Sequence, residues 1–265
     1  MPEGVEIEMY RLHGEQVVGE TIASVVANDD WFLKGGTTAP ELVHAILETT
    51  VTAARRVGKL MILDLSNDSR LGLRFGMTGR LIVGNDIDGH ESAIDYLEYS
   101  SQRNDPAWDR FQLGFESGLE LRIRDPRRLG GVELNPDEAR LGYDVFAITV
   151  GQLRERVLVG KVALKARLLD QARVAGIGNL IADETLWRAG IDPARAADSL
   201  DDNEVRRLHR NLGSVVTTFL AEGGSHTGRL QPSRTRGGHC PRDGAELLRR
   251  EIGGRTTYSC PEHQI

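Results

Sequence analysis

Apolar residues recur at three- and four-residue steps where the chain begins, at Val5, Met9 and Leu12, and this spacing predicts an amphipathic helix from about residue 4 to 19. The period then shortens. Residues 21–27, 51–57, 59–65, 70–75, 80–83, 111–115 and 119–123 form short β-type runs separated by Gly, Asn, Asp and Ser, as in the antiparallel strands of a sandwich or barrel. One helix, from Pro40 to about Glu48, interrupts the strands, with proline suited to its first turn. The character changes near Asn135-Pro136-Asp137, and roughly the next 90 residues read as helical, so a boundary is expected between about 135 and 150. Within that half, residues 201–220 place Val205, Leu208, Leu212, Val215, Val216 and Phe219 on one side of a helix that ends at Gly223-Gly224.

With 265 residues, 40% of them hydrophobic and 27% charged, the chain suits two modest globular domains. No apolar run approaches the ~18 residues of a membrane span and no basic-hydrophobic leader is present, so the cytoplasm is the expected compartment. The only cysteines, Cys240 and Cys260, fall in the last 26 residues, which favours a local metal site or a reduced pair over a disulfide framework. A net charge of −6 hides a segregation. Asp86, Asp88, Glu91, Asp95, Glu98, Asp105 and Asp109 face the single base Arg103, whereas 122–128, 154–173 and 229–255 are basic strips suited to lining one groove.

Two stretches carry candidate chemistry. The chain opens Met1-Pro2-Glu3-Gly4-Val5-Glu6, and removal of Met1 leaves a proline amine beside a carboxylate. A terminal amine titrates near ~8, against ~10.4 for lysine, so a useful fraction is unprotonated and nucleophilic at neutral pH. Proline in second position is also a common processed start. The second stretch runs from Lys165 to Glu184: Leu168 and Leu169 end one helix, Gly176 and Gly178 allow a tight turn, and Asn179 opens the next helix with exposed N–H groups suited to phosphate.

Four separated motifs, namely Pro2-Glu3-Gly4, Gly58-Lys59, Asp125-Pro126-Arg127-Arg128 and the 165–184 string, together with an altered C-terminal finger, span nearly the whole chain. In this the sequence resembles the formamidopyrimidine-DNA glycosylase and endonuclease VIII family, in its endonuclease VIII-like branch. The resemblance implies an α+β fold. An N-terminal antiparallel β-sandwich with flanking helices covers 1–135, a helix-two-turn-helix domain 136–225, and a β-hairpin zinc-finger-like element 226–265. It implies a monomeric base-excision enzyme acting on damaged DNA, cytoplasmic on the bacterial nucleoid and free of small-molecule cofactors.

By the same resemblance Pro2 attacks C1′ of a damaged nucleotide, expels the base and forms a Schiff base, and β- and δ-elimination then cut the strand. Glu3 moves protons, Glu6 helps hold the flipped nucleotide, and Lys59, Asn179, Arg255 and Lys165 grip DNA. Met77 and Arg127 fill the void left by the flipped base. Leu129 replaces the aromatic residue of the guanine-specific branch. Cys240, Asp243, Cys260 and His263 take the places of four zinc-binding cysteines, with two residues inside each pair and 16 between pairs, and His239 is a possible substitute for Asp243. Only 15 residues separate Gly224 from Cys240. That shortness, Leu129 and the Pro-Glu-Gly start favour oxidised pyrimidines as substrates, although Val5 departs from the proline usual there. A glycosylase for 8-oxoguanine and formamidopyrimidine, a non-catalytic damage-binding relative and an RNA-binding protein are the alternatives.

Overall fold

The computed structural model describes residues 2–84, 92–93 and 105–265. Asp86, Asp88, Glu91, Asp95, Glu98 and Arg103 of the acidic run lie outside the described residues. The chain divides into two compact units, Met1–Pro2 with Glu6–Glu138, and Glu3–Val5 with Ala139–Ile265.

Helix α1 (Gly4–Gly14) opens the chain and ends earlier than its pattern predicts, because Glu15–Val17 tighten into a 3₁₀ turn that runs out at left-handed Gly19. Strands β1 (Ile22–Val26) and β2 (Leu33–Lys34) follow, then α2 (Ala39–Ile46). Thr38 and Glu41 form a capping box at the start of α2, and Pro40 sits in its first turn, where no N–H is needed. The strands β3 (Val51–Val57), β4 (Leu60–Leu65), β5 (Arg70–Arg74), β6 (Arg80–Gly84), β7 (Ser92–Ala93), β8 (Asp109–Phe115), β9 (Glu120–Arg124) and β10 (Gly131–Leu134) complete the first unit. They build two five-stranded sheets, ordered β1-β8-β9-β6-β7 and β2-β10-β5-β4-β3. Alternate residues such as Leu63, Leu71, Leu73, Leu113, Leu121 and Ile123 join Ile7 and Tyr10 of α1 and Leu42 and Ile46 of α2 in one core. Where the unit ends, Glu138 accepts from Arg55 at 2.5 Å and from Arg70 at 2.8 Å.

Register puts four turns at one end of the second sheet. Gly131 pairs with Arg74 and Val132 with Leu33, while Leu73 pairs with Met61 and Leu60 with Val57. The segment before β2, the turn before β10, the turn after β5 and the Gly58-Lys59 turn therefore all emerge on the same side.

The second unit is more than helices. β11 (Tyr143–Asp144) pairs in parallel with β12 (Val174–Ala175), ahead of the glycine turn. Between them lie α3 (Val150–Gln152) and α4 (Leu164–Leu168), and after them α5 (Asn179–Ala189), closed by left-handed Gly190. The long α6 (Asp202–Glu222) buries the six apolar residues its pattern names, with a capping box from Asp201 and Glu204. The chain finishes in a hairpin of β13 (Leu248–Ile252) and β14 (Arg255–Ser259). Its two-residue turn, Gly253-Gly254, has φ of 61° and 69°, the left-handed pair that a tight hairpin needs and that glycine adopts freely. No helix among the described residues is long and apolar enough to cross a membrane.

Candidate active site and nucleic-acid interface

In the first unit, Pro2 is buried just ahead of α1, and Glu6 is buried one turn into it. Lys59 is half-buried in the β3–β4 turn, which left-handed Gly58 permits. Met77 sits on an exposed turn after β5, which stops at Arg74. That turn is locked to the one carrying Arg127 and Leu129. Asp125, fully buried, accepts Thr78 Oγ1 at 2.6 Å, the Arg127 N–H at 3.1 Å and the Gly130 N–H at 2.8 Å. Gly76 is left-handed and an added Cβ would strike the Leu129 backbone. The result is a tip on which Arg127, Met77 at 41% exposure and Leu129 at 49% project together. Arg128 pairs with Asp29; burial works against the Asp29 charge, but the guanidinium outweighs it and holds the carboxyl below its usual range.

The second unit includes Glu3, and here one expectation is overturned. The N–H groups opening α5 are not exposed for phosphate: Glu3 takes the Gly178 and Ile181 N–H groups on Oε2, both at 3.0 Å, and the Leu180 N–H on Oε1 at 2.8 Å. A carboxylate satisfies the first turn and lies at the positive end of the helix. Gly178 leaves room for it, because a Cβ there would collide with the Glu3 carboxyl group. The Gly4 N–H donates to Gly176 O at 2.8 Å, so the glycine turn receives both residues closely.

Asn179 is half-buried and donates from Nδ2 to Thr256 O at 3.1 Å. Arg255, next to Thr256, is exposed at the start of β14. Lys165, expected to grip DNA, does not reach the surface. Its ammonium is enclosed, 2.6 Å from Asp183 Oδ1 and 2.7 Å from Thr257 Oγ1, and Asp183 Oδ2 also accepts from Arg234 at 2.9 Å. Burial pulls Lys165 down and Asp183 up, and their mutual attraction opposes both shifts. Nothing in the lysine's spacing distinguished this role, but Asp183 and Glu184 set among Ile181, Ala182 and Leu186 were a sign of buried partners. Glu184 likewise accepts the Leu230 N–H at 2.9 Å.

Cys240, Asp243, Cys260 and His263 come together with donor atoms within 4.8 Å of one another. His239 stands apart, exposed and bridged to Glu246 through its backbone. The donor set fits a divalent metal. His263 Nε2 lies 3.2 Å from Trp187 O, which orients the ring so that Nδ1 faces the group, 2.6 Å from Asp243 Oδ2. Cys240 Sγ receives N–H groups from Trp187 at 3.3 Å and Arg242 at 3.4 Å, contacts that suit a thiolate. Burial disfavours the Asp243 charge, yet the Ala245 N–H and the His263 and cysteine contacts hold its carboxyl well below the usual range. Burial pushes the Cys260 thiol up to about 11. Two sulfurs, one oxygen and one nitrogen make a competent tetrahedral set for zinc, which when bound would cross-link the segment and take no part in a reaction step.

Residues 1–132 match the family model of the formamidopyrimidine-DNA glycosylase N-terminal domain, and residues 142–230 that of the formamidopyrimidine-DNA glycosylase H2TH domain. The chain is 32% identical over 288 residues to the formamidopyrimidine-DNA glycosylase of Roseiflexus sp. (strain RS-1), with 100% of both covered. It is 30% identical over 287 residues to that of Arabidopsis thaliana, covering 100% of this chain and 71% of the plant protein. Among solved structures it is similar to a complex of Lactococcus lactis Fpg with abasic-site DNA, at TM-score 0.81, 25% identity and 99% coverage of each chain. A complex of Lactococcus lactis Fpg (MutM) with Fapy-dG DNA matches at TM-score 0.81, 25% identity and 98% coverage of each.

Proposed function

The chain belongs to the formamidopyrimidine-DNA glycosylase family, and on that premise we propose that it is a base-excision DNA glycosylase and abasic-site lyase whose nucleophile is the Pro2 amine, freed by removal of Met1. The observation that carries the reading is Glu3: a buried carboxylate fixed by three N–H groups immediately beside Pro2. A helix-capping side chain held at one position is an oriented acid/base group, already immobilised before DNA arrives.

In this mechanism the Pro2 nitrogen lone pair forms a bond to C1′, the glycosidic bond breaks, and the expelled base takes up a proton. Glu3 delivers a proton to the opening deoxyribose ring, and the nitrogen and C1′ become an iminium. Loss of a C2′ proton then expels the 3′ phosphate by β-elimination, and δ-elimination releases the 5′ phosphate. Glu6 supports the flipped nucleotide. Lys59, Asn179 and Arg255 hold phosphates without reading sequence, and Arg127, Met77 and Leu129 occupy the space the nucleotide vacates. Residues 1–135, 136–225 and 226–265 act as the catalytic domain, the helical DNA-binding domain and the zinc-bound finger.

Leu129 and the short 225–239 segment favour oxidised pyrimidines. The names of the relatives and the Fapy-dG complex of the Lactococcus protein favour a second reading, formamidopyrimidine or 8-oxoguanine. Borohydride trapping on oligonucleotides carrying one oxidised pyrimidine, 8-oxoguanine, formamidopyrimidine or an abasic site decides between them. A covalent adduct that disappears in Pro2→Gly is the expected result. Absence of an adduct even with the abasic strand removes the lyase proposal.

A further inference from the structure

Trp31 has no part in the mechanism above, yet 68% of its surface is exposed. A tryptophan is an expensive residue to leave in water, and large exposed apolar surfaces mark contact sites. Its placement says what it contacts. Trp31 stands two residues before β2, Leu129 two before β10 and Met77 three after β5, and these neighbouring strands end in register on one side of the sheet. At ~4.8 Å per strand, the three form an apolar row about 10 Å long, the length of roughly three base steps in DNA.

The segment is fixed in that place. Asp29 Oδ2 accepts from Arg128 Nε at 2.7 Å, tying it to the turn that carries Arg127 and Leu129. Lys34 Nζ donates to Trp31 O at 2.6 Å and sits 5.2 Å from the centre of the indole, covering one face and leaving the exposed remainder open. The cation at the ring is Lys34, and the Asp29 charge two residues before the indole is met by Arg128. A flat π-surface beside a cation, continuous with a proposed void-filling tip, suits an unstacked nucleobase.

We propose that Trp31 is a base-stacking contact that extends this tip, receiving an unpaired nucleobase next to the lesion. The inference rests on the DNA-glycosylase reading and adds a preference to it: DNA whose bases are already unpaired gains most from the contact.

The test is affinity for a labelled single strand and for a bubble duplex, each carrying a tetrahydrofuran abasic analogue, measured by anisotropy across a salt series. Trp31→Ala is expected to weaken binding about five- to 150-fold, the range of one base–aromatic stack, with the salt slope unchanged because no phosphate contact is lost. Trp31→Phe should stay within twofold of the parent. Trp31→Gln, which keeps a polar surface, should behave like Trp31→Ala and guards against a folding artefact, as do unchanged melting curves. A loss below threefold on both DNAs, or a failure of Trp31→Phe to restore binding, overturns the proposal. Arg255→Ala in the same titration separates the two levels: if it weakens binding while Trp31→Ala does not, the stacking contact alone falls. If neither variant matters, the DNA-binding reading falls with it.

Discussion

Replacing Glu3 by glutamine tests whether this side chain is a structural cap as well as an acid/base group. The amide has one oxygen. Placed where Oε2 is, it can keep the Gly178 and Ile181 N–H groups, but its NH₂ then meets the Leu180 N–H, donor against donor. A buried donor left unmade costs about 1–3 kcal/mol. Loss of the negative charge at the α5 N-terminus adds about 0.3–2 kcal/mol. Together these give about 1–5 kcal/mol, or a fall in Tm of roughly 3–10 °C for a chain of this size. Thermal unfolding without DNA measures it, so that lost catalysis does not enter. Hydrogen exchange should accelerate at the Leu180 and Ile181 amides and not at those in the middle of α6. A Tm change under 1 °C with both amides still protected would refute the capping role.

Asp125→Ala strips three donors of their buried acceptor and should destabilise the first unit by about 3 kcal/mol, lowering single-turnover incision more than Arg127→Ala does, because both turns lose their anchor. Lys165→Met leaves Asp183 buried with one cation fewer, at a cost of about 3 kcal/mol. Its DNA affinity should keep the parent salt slope, whereas Arg255→Ala makes the slope shallower by roughly one unit; a shallower slope for Lys165→Met would return that lysine to the DNA surface. Glu138 is held below its usual range by Arg55 first and then Arg70, despite partial burial. A depressed carboxyl stabilises the fold above its unfolded value, near pH ~4.3, and that stability is lost as pH falls through the folded value; Glu138→Gln should flatten the acid limb of a urea-denaturation series between pH 3 and 6. Elemental analysis should find one equivalent of zinc, retained in His239→Ala and lost in His263→Ala, with chelation lowering the Tm of the parent protein.

Much of the first unit was legible because its strands alternate with one buried face, a period that survives in the sequence alone. Residues 51–57 were predicted and observed to the residue. β2 and β10 were missed: two and four residues are too few to show a period, and their pairing depends on partners far away in the chain. The pattern of α6 was readable for the opposite reason, since 21 residues repeat one apolar face many times. For the candidate site, the family resemblance pointed to Met77, Arg127 and Arg255, which are exposed in the structure, and to four donors that the fold brings together. The resemblance did not reveal what closes the start of α5. A helix N-terminus read locally shows unsatisfied N–H groups, and nothing within the stretch indicates that a carboxylate from residue 3 will fill them. Lys165 failed in the same way, because a cation's burial is decided by Asp183 and Thr257 and not by its neighbours in sequence.

The Glu3 cap also bears on how the chain is made. At about 5–20 residues per second, residue 3 leaves the ribosome some ten to thirty seconds before Gly178 exists to receive it. Until then the carboxylate remains hydrated, and the first turn of α5 cannot close on its final partner. It closes by a contact of very long sequence separation, the kind that forms slowly and late. A fragment beginning at Ala139 would carry every residue of α5 and still lack its cap, so the integrity of that helix depends on a residue made 175 positions earlier staying attached to it.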